Sequence, residues 1–185
     1  FDEFGNPAWH YNVTAPAVEE VYNSVKSANG QLAAYVSATG SAGTIGAGDY
    51  LKKHFPHMKI VASEALQCPT LLNNGFGGHR IEGIGDKHVP WVHNAKNTDM
   101  VTAIDDEDCM RLFRLFNEPV RKSYFKSIGI DTEFFEKLEL IGISGIANIL
   151  SAIKTAKYYE MNSDDVIISL ATDAAEMYTS RLEEL

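Results

Sequence analysis

Short apolar runs alternate with amphipathic stretches along most of this chain. Residues 31–37 and 59–62 are runs that contain β-branched or aromatic residues, and this pattern predicts two strands. Residues 17–28 carry valine and tyrosine at helical spacing, and residues 45–55 read as a second helix between the two strands. The first third of the chain therefore predicts a strand-helix-strand unit that follows a helix and an opening stretch rich in aromatics and turn formers, residues 1–16.

The same alternation continues in the second half of the chain. Acidic residues fill positions 105–108, just before an apolar helical stripe, and acid at a helix N-terminus complements the helix dipole. The predicted strands are residues 89–92, 100–104 and 164–170, of which the last is expected to be buried. The predicted helices are residues 105–118, one or two short helices over 120–138, and residues 144–159 and 173–185.

Strands that alternate with helices predict an α/β fold, a three-layer sandwich with a mainly parallel sheet. The chain has 185 residues, of which 45% are hydrophobic and 22% charged, so one globular domain accounts for residues 1–185.

The charge balance and the cysteines narrow the possible functions. The chain has 16 Lys and Arg and 25 Asp and Glu, which gives a net charge of −9. Because no run of basic residues stands out, a nucleic-acid-binding surface is disfavoured. No apolar stretch reaches the roughly 18 to 20 residues of a membrane span. Cys68 and Cys109 are far apart, and the six histidines form no ligand motif, so we expect no metal site and a cytoplasmic protein with reduced thiols.

A glycine-rich turn between the first strand and the following helix is the main candidate for chemistry. Small residues let backbone N–H groups approach an anion, and the helix N-terminus favours negative charge. The turn lacks the lysine of a nucleotide-binding P-loop. Its glycines are spaced GxxG rather than the GxG of a dinucleotide-binding motif, although Glu64 stands near the place of the acid that binds the ribose in that motif. From these residues alone, anion binding and a tight strand-to-helix junction that needs small residues only for packing are equally good interpretations of the turn. The glycines are Gly40, Gly43, Gly46 and Gly48, with the hydroxyls of Ser41 and Thr44 between them.

Several segments in order resemble the pyridoxal-phosphate enzymes of the cysteine synthase and cystathionine β-synthase family. The turn reads SATGSAGTIGAGDYLK, where that family typically has GTGGTI, and PxxKIV, a glutamate, IEGIG and VP follow it. The likeness extends upstream to NP, HY and TxP within residues 6–16, and downstream to GISG at residues 142–145. The segments are collinear over most of the chain.

The resemblance implies a fold-type II pyridoxal 5′-phosphate site. Residues 40–44 would bind the cofactor phosphate, with Ala42 where the family has glycine; the backbone can still approach there unless a positive φ is required. Gly83 would run beside the cofactor ring, and residues 142–145 would begin a helix of the large domain. The family presents a serine hydroxyl to the pyridine nitrogen at the position of Ala174, so Thr172 would be its best substitute here and Asp173 a second choice. The cofactor-binding residues implied are Gly40, Ser41, Ala42, Gly43, Thr44, Gly83 and Thr172.

The family's Schiff-base lysine has no counterpart here. It lies in an SxxxK segment followed by a TSGN-type loop, and neither occurs in this chain, where Lys26, Lys52 and Lys53 fall on predicted helices. Because that lysine also shuttles the α-proton, the chain alone is expected to be inactive, and its catalytic residues stay unassigned. We interpret the chain as the C-terminal portion of a longer enzyme. Residues 118–138 look like an insertion relative to the family.

The resemblance implies β-elimination or β-replacement on a small-molecule amino acid, as in a lyase or transferase of cysteine-synthase type. One alternative is an ammonia-lyase or dehydratase of the same family. Others are a non-catalytic Rossmann-like binding module and a degenerate relative kept as a scaffold subunit. We expect no nucleic-acid or membrane partner. We expect a homodimer, because a chain without the preceding domain would expose apolar faces at residues 89–92 and 146–153 and be soluble only as an oligomer or in complex with the missing half.

Overall fold

The computed structural model describes residues 3–118, 121–138 and 140–184. The strands are β1 (Gln31–Ala38), β2 (Lys59–Ala65), β3 (Met100–Ile104) and β4 (Asp165–Ser169). The helices are α1 (Gly5–Trp9), α2 (Ala15–Val25), α3 (Gly46–His54), α4 (Thr70–Asn73), α5 (Asp106–Asn117), α6 (Arg121–Ser127), α7 (Thr132–Leu138), α8 (Ile143–Tyr158) and α9 (Thr179–Glu183). A π-helical turn, His10–Thr14, joins α1 to α2, and a 3₁₀ turn, Ala175–Tyr178, precedes α9.

The four strands form one sheet in the order β3-β2-β1-β4, and all three pairs are parallel. In the central strand β1, Val36 pairs with Val61 of β2 on one side and with Ser169 of β4 on the other. The chain leaves β1 towards β2 and returns beyond β1 as β4, so the connections change direction between β1 and β4. Open α/β sheets bind ligands outside the carboxyl ends of the strands at such a point.

Helices cover both faces of the sheet, which confirms the predicted α/β sandwich. On one face, α2 and α3 pack against the sheet around Tyr35, Leu51 and Ile60, each no more than 1% exposed. On the other face, α5 and α8 enclose a second cluster that includes Phe113 and Ile146, both fully buried. The helix α8 crosses this face in contact with all four strands.

The chain termini differ from the sequence-based prediction. Residues 5–14, predicted as an irregular opening, are helical, because Pro7 lies in the first turn, where its missing N–H removes no helical hydrogen bond. The predicted helix over residues 173–185 is only the 3₁₀ turn and α9, since Ala174 is extended (φ −114°, ψ 152°). Leu185 and Phe1 lie outside the described residues.

Two strand predictions also need correction. Residues 89–92 form turns rather than a strand, because Pro90 has no N–H for a sheet and its carbonyl instead accepts the His93 N–H at 2.9 Å. The strand predicted at residues 164–170 exists as β4, but its residues are half-buried rather than buried because it forms one edge of the sheet.

The segment that resembles an insertion contains two short helices, as predicted. α6 and α7 are separated near Gly129, whose φ of +78° is readily accessible only to glycine. Residues 119, 120 and 139 of this region lie outside the described part of the chain. Its identification as an insertion stays a prediction. None of the helices described is long and apolar enough to span a membrane.

Candidate functional site

A cavity of about 180 Å³ opens at the carboxyl ends of β1 and β4, where the sheet connections change direction. Its walls come from the ends of the two strands, the turn between β1 and α3, the loop around Gly83 and the start of α8. The lining residues are Asn6, His10, Ser37, Ala38, Gly40, Ser41, Gly43, Thr44, Gly83, Ile84, Ser144, Asn148, Leu170 and Thr172.

One wall of the cavity is rich in hydrogen-bond donors. Residues 39–45 form the predicted strand-to-helix turn, directly before α3. Within the described residues, no acceptor meets the N–H groups of Ser41, Ala42, Gly43 and Thr44. Consecutive free N–H groups at a helix N-terminus are the arrangement that binds phosphate.

The hydroxyls in this wall are held by neighbouring side chains. Asn6 Nδ2 donates to Ser41 Oγ at 2.9 Å, which leaves the Ser41 proton available to a ligand. Ser37 Oγ and Thr44 Oγ1 lie 2.7 Å apart. The hydroxyl of Tyr35, whose pKa is raised by burial, donates to the Thr44 carbonyl at 2.8 Å and fixes the end of the turn.

Asn6 also explains why the turn needs glycine at residue 43. A Cβ atom on Gly43 would lie 2.4 Å from Asn6 Oδ1, so the carboxamide occupies the space where a side chain would stand. The helix α1, which the sequence analysis missed, therefore supports the turn directly.

Ala42 has a positive φ of +58°, which is the condition named above under which alanine is a poor replacement for the family's glycine. The left-handed conformation costs an ordinary residue about 1 to 2 kcal/mol. Ala42 is 2% exposed and does not line the cavity, so it contributes through its backbone.

We expect Ala42→Gly to raise the free energy of unfolding by about 0.5 to 1 kcal/mol, because glycine relieves the left-handed strain but adds freedom to the unfolded chain. Urea denaturation measures this change. Phosphate affinity should stay within about twofold, since every N–H of the turn is kept. A destabilised variant would contradict the strain assigned to Ala42.

The opposite wall carries hydroxyls around a carboxylate. Ser144 Oγ donates to Asp173 Oδ1 at 2.7 Å and lies 3.0 Å from Thr172 Oγ1. The Tyr178 hydroxyl donates to Asp173 Oδ2. Burial, and then this hydrogen bond, raise the pKa of Tyr178. Asn148, 4% exposed, donates from Nδ2 to the Leu170 carbonyl at 3.1 Å, and its Oδ1 has no partner among the described residues.

The loop that brings Gly83 to the cavity is fixed at both ends. Gly83 and Gly85 have φ values of +82° and +85°, and the Gly85 N–H donates to the Thr39 carbonyl at 2.7 Å, which ties the loop to the end of β1. On the other side, Arg181 of α9 donates to Glu82 at 2.5 Å.

The titratable groups near the cavity include a histidine but no lysine among the lining residues. His10 lines the cavity, its Nδ1 lies 2.9 Å from Thr14 Oγ1, and partial burial lowers its pKa. Lys52 pairs with Asp99, and Lys53 contacts the Tyr11 hydroxyl, both at a separate surface depression. Neither lysine is placed to act in the cavity.

Most of the site residues named from the sequence meet in this cavity. Gly40, Ser41, Gly43, Thr44, Gly83 and Thr172 line it, whereas Ala42 lies behind the turn. Ala174 lines a different surface depression, whereas Thr172 is one of the residues that line the cavity.

Asn6, Ser144 and Asn148 line the cavity with polar side chains but were not among the site residues named from the sequence. Asn6 and Ser144 fall within the NP and GISG segments that carry the resemblance, and this was their only signal. Asn148 had none, because a lone asparagine in a helix is usually solvent-exposed.

The other candidate ligands considered in the sequence are Glu64, for a ribose, and the histidines and cysteines, for a metal ion. Glu64 is 2% exposed, and its carboxylate accepts the N–H groups of Leu71 and Leu72 at 2.8 and 3.0 Å, so it is not free to bind a ribose. Across the described ranges, no group of three or more His, Cys, Asp or Glu side chains could hold a metal ion.

The chain is similar to known proteins in both sequence and structure. It is 29% identical to a probable cysteine synthase of Bacillus subtilis over 181 residues, which are 97% of this chain and 51% of that protein. Among solved structures, a hydrogen sulfide-producing enzyme from Fusobacterium nucleatum has a TM-score of 0.73 at 26% identity and covers 97% of this chain and 48% of its own. O-acetylserine sulfhydrylase isoform 3 from Entamoeba histolytica has a TM-score of 0.72 at 27% identity, with coverages of 100% and 49%.

The chain spans about half the length of the curated relatives it matches. No protein-family model matches it. The resemblance seen in the sequence is nevertheless confirmed: over nearly its whole length this chain is similar in sequence to curated cysteine synthases, and it shares the fold of the solved enzymes named above.

Proposed function

We propose that this chain forms the phosphate-binding wall of a pyridoxal-phosphate site in a protein that catalyses β-elimination or β-replacement on an amino acid. The observation that carries the proposal is the run of free N–H groups at residues 41–44, at the point between β1 and β4 where open α/β sheets bind ligands. The similarity to cysteine synthases points to the same cofactor.

The residues of the cavity fit the parts of that cofactor. The free N–H groups of the turn and the Ser41 hydroxyl would bind the phosphate, with Thr44 as a further hydroxyl. Gly83 has no side chain to fill the space beside the ring, and Thr172 offers a hydroxyl to the ring nitrogen. When bound, the cofactor supplies an electron sink for carbanion chemistry. This chain's residues would bind and orient it.

The cavity favours this proposal over a nucleotide-binding module but does not separate it from other enzymes of the same family. A Rossmann-like nucleotide module would need an acid for the ribose, and the carboxylate of Glu64 is already used by the backbone of α4. A serine or threonine dehydratase, or another ammonia-lyase, would use the same phosphate wall. Catalysis of either kind needs a lysine that the described part of this cavity does not supply.

We expect the 185-residue chain to bind pyridoxal phosphate without the visible absorbance of a lysine-bound cofactor. The turn supplies the phosphate donors, and no lysine is among the lining residues described. Fluorescence titration would measure binding, and inorganic phosphate should compete. The absence of binding by either compound would refute the proposal, and a coloured adduct lost in Lys52→Ala or Lys53→Ala would show that a lysine reaches the site.

We also propose a cytoplasmic homodimer. Four exposed apolar side chains recur every four or eight residues along residues 9–25, and burying such a stripe would stabilise an assembly. Both cysteines are buried free thiols, which suits a reducing compartment. Analytical ultracentrifugation at micromolar concentration should find no compact monomer; a compact monomer that melts cooperatively would argue against the dimer. The four side chains are Trp9, Val13, Val21 and Val25, each between 46% and 64% exposed.

A further inference from the structure

Of the described residues that line the cavity, His10 alone has a side chain that titrates near neutral pH. Resting on the proposed function, we infer that His10 is a further anion-binding residue, whose ring takes up a proton from solvent when a dianion binds to the glycine turn and donates a hydrogen bond to that dianion. Binding of a phosphate group in this cavity is therefore coupled to the uptake of a proton.

The helix that carries Asn6 also places His10 beside the glycine turn. Asn6 donates to Ser41 Oγ at 2.9 Å and fills the space next to Gly43, so this face of the helix lies against the turn. His10 follows Asn6 by four residues, a helical spacing that puts two side chains on the same face with Cβ atoms about 5 to 6 Å apart. Because both residues line the same cavity of about 180 Å³, an anion held by the turn lies close to the His10 ring.

The His10 ring is held at one nitrogen and free at the other. Its Nδ1 lies 2.9 Å from Thr14 Oγ1, at the far end of the π-helical turn, and such turns recur at functional sites. Nε2 has no partner within the described residues. In a protonated imidazole both nitrogens are donors, so Nδ1 donates to Thr14 and Nε2 keeps its proton for a ligand. This assignment is the same whichever nitrogen holds the proton in the neutral ring.

The charged groups around His10 have other partners or are exposed. The elements packed against its π-helical turn are α1, which has no charged side chain, α2 and α3. Glu20 of α2 is exposed. Across the cavity, the Asp173 carboxylate accepts the hydroxyls of Ser144 and Tyr178. The remaining charged side chains of α2 and α3 are engaged elsewhere: Glu19 contacts Tyr50 and His54, Asp49 accepts from Asn94 and Asn97, Lys52 pairs with Asp99, and Lys53 contacts the Tyr11 hydroxyl.

A dianion on the glycine turn would reverse the electrostatic preference of His10. Burial lowers the pKa of His10, because a charged imidazole is poorly solvated there, so the ring is neutral at neutral pH. An anion within about 4 to 6 Å favours the charged ring and raises its pKa. The turn itself offers only N–H groups and hydroxyls, so a protonated His10 would supply the one full positive charge of the described lining. By linkage, the factor by which the anion strengthens proton binding is the factor by which the proton strengthens anion binding.

The test measures proton and anion binding together in the 185-residue chain, with inorganic sulfate as the probe. Sulfate stays a dianion between about pH 5.5 and 8, whereas a phosphate monoester gains a proton near pH 6 and would obscure the effect. NMR titration of ¹³C-labelled histidine should show that saturating sulfate raises the pKa of His10. At constant ionic strength, sulfate affinity should increase at least about threefold from about pH 8 to 5.5.

Two histidine variants locate the effect. His10→Gln keeps a polar side chain that cannot take up a proton, so its sulfate affinity should change less than about twofold over the same pH range. His57→Gln is the matched control, because His57 is exposed and does not line the cavity, and it should keep the full pH dependence. Pyridoxal phosphate should displace sulfate from all three chains, as expected if both bind to the glycine turn.

Sulfate binding that leaves the pKa of His10 unchanged would overturn the inference while leaving the proposed function intact. Equal pH dependence in His10→Gln and the unchanged chain, or its loss in His57→Gln, would do the same, since overall charge would then be the cause. The NMR titration needs no variant, so it decides the question even if His10→Gln does not fold. If neither sulfate nor pyridoxal phosphate binds at any of these pH values, the proposed function and this inference both fail.

Discussion

Gly43→Ala is expected to weaken the binding of phosphate and of pyridoxal phosphate by at least tenfold. The new methyl group would lie 2.4 Å from Asn6 Oδ1, so either the carboxamide or the turn must move. If Asn6 moves, Ser41 loses its hydrogen bond; if the turn moves, the free N–H groups no longer converge. One lost hydrogen bond to a charged group costs about 1.5 to 3 kcal/mol, which corresponds to tenfold or more in affinity. Isothermal titration calorimetry measures the change.

The stability of Gly43→Ala should fall by only about 1 kcal/mol, because the clash is with the end of a flexible side chain rather than with backbone. The double variant Asn6→Ala/Gly43→Ala separates the two effects. If the clash is the cause, the double variant should be as stable as Asn6→Ala alone. Unchanged affinity in Gly43→Ala would show that the turn does not bind the phosphate.

Phe113→Ala is expected to lower the free energy of unfolding by about 3 to 5 kcal/mol. Phe113 is fully buried between α5 and α8, and its ring meets Tyr178 edge to face with centroids 6.2 Å apart. The substitution leaves a cavity beside Tyr178, whose hydroxyl donates to Asp173. It therefore also loosens the wall of the site that contains Asp173. The whole stability of a typical domain is about 5 to 15 kcal/mol.

Chemical denaturation followed by circular dichroism would measure this loss. Phe4→Ala is the matched control, because Phe4 is 69% exposed and its removal should change stability by less than about 0.5 kcal/mol. A similar cost for the two variants would mean that the cluster around Phe113 does not form the core described.

The parts of the fold with a strong periodic signal were predictable from the sequence. The apolar runs of β1 and β2 and the stripe of α8 gave their elements within a few residues. The helical segments over residues 5–14 did not, because this stretch is rich in aromatics and turn formers such as Pro7, and its helices pack against α3. The strand prediction for residues 89–92 is wrong because it followed the two valines, whereas Pro90 between them prevents a strand.

The candidate site also has features that the sequence predicts and features that it does not. Gly40 and Gly43 showed where the turn lies, because small residues between an apolar strand and a helix predict a turn from the neighbouring sequence alone. The positive φ of Ala42 and the approach of Asn6 to Gly43 could not be predicted, since both depend on how distant segments pack. The hydroxyl cluster around Asp173 joins residues 29 positions apart in sequence, and only folding brings them together.

The pairing of β1 with β4 determines when the site can assemble. Gln31 and Asp165 are hydrogen-bonded across 134 positions of sequence, so closing this contact requires almost the whole chain. During synthesis the glycine turn would emerge long before the Thr172 wall, and the binding cavity exists only once the last strand has docked. Such non-local pairing makes folding slow. A ligand that binds only the completed cavity would stabilise the last folding step most, by an amount that grows with its concentration.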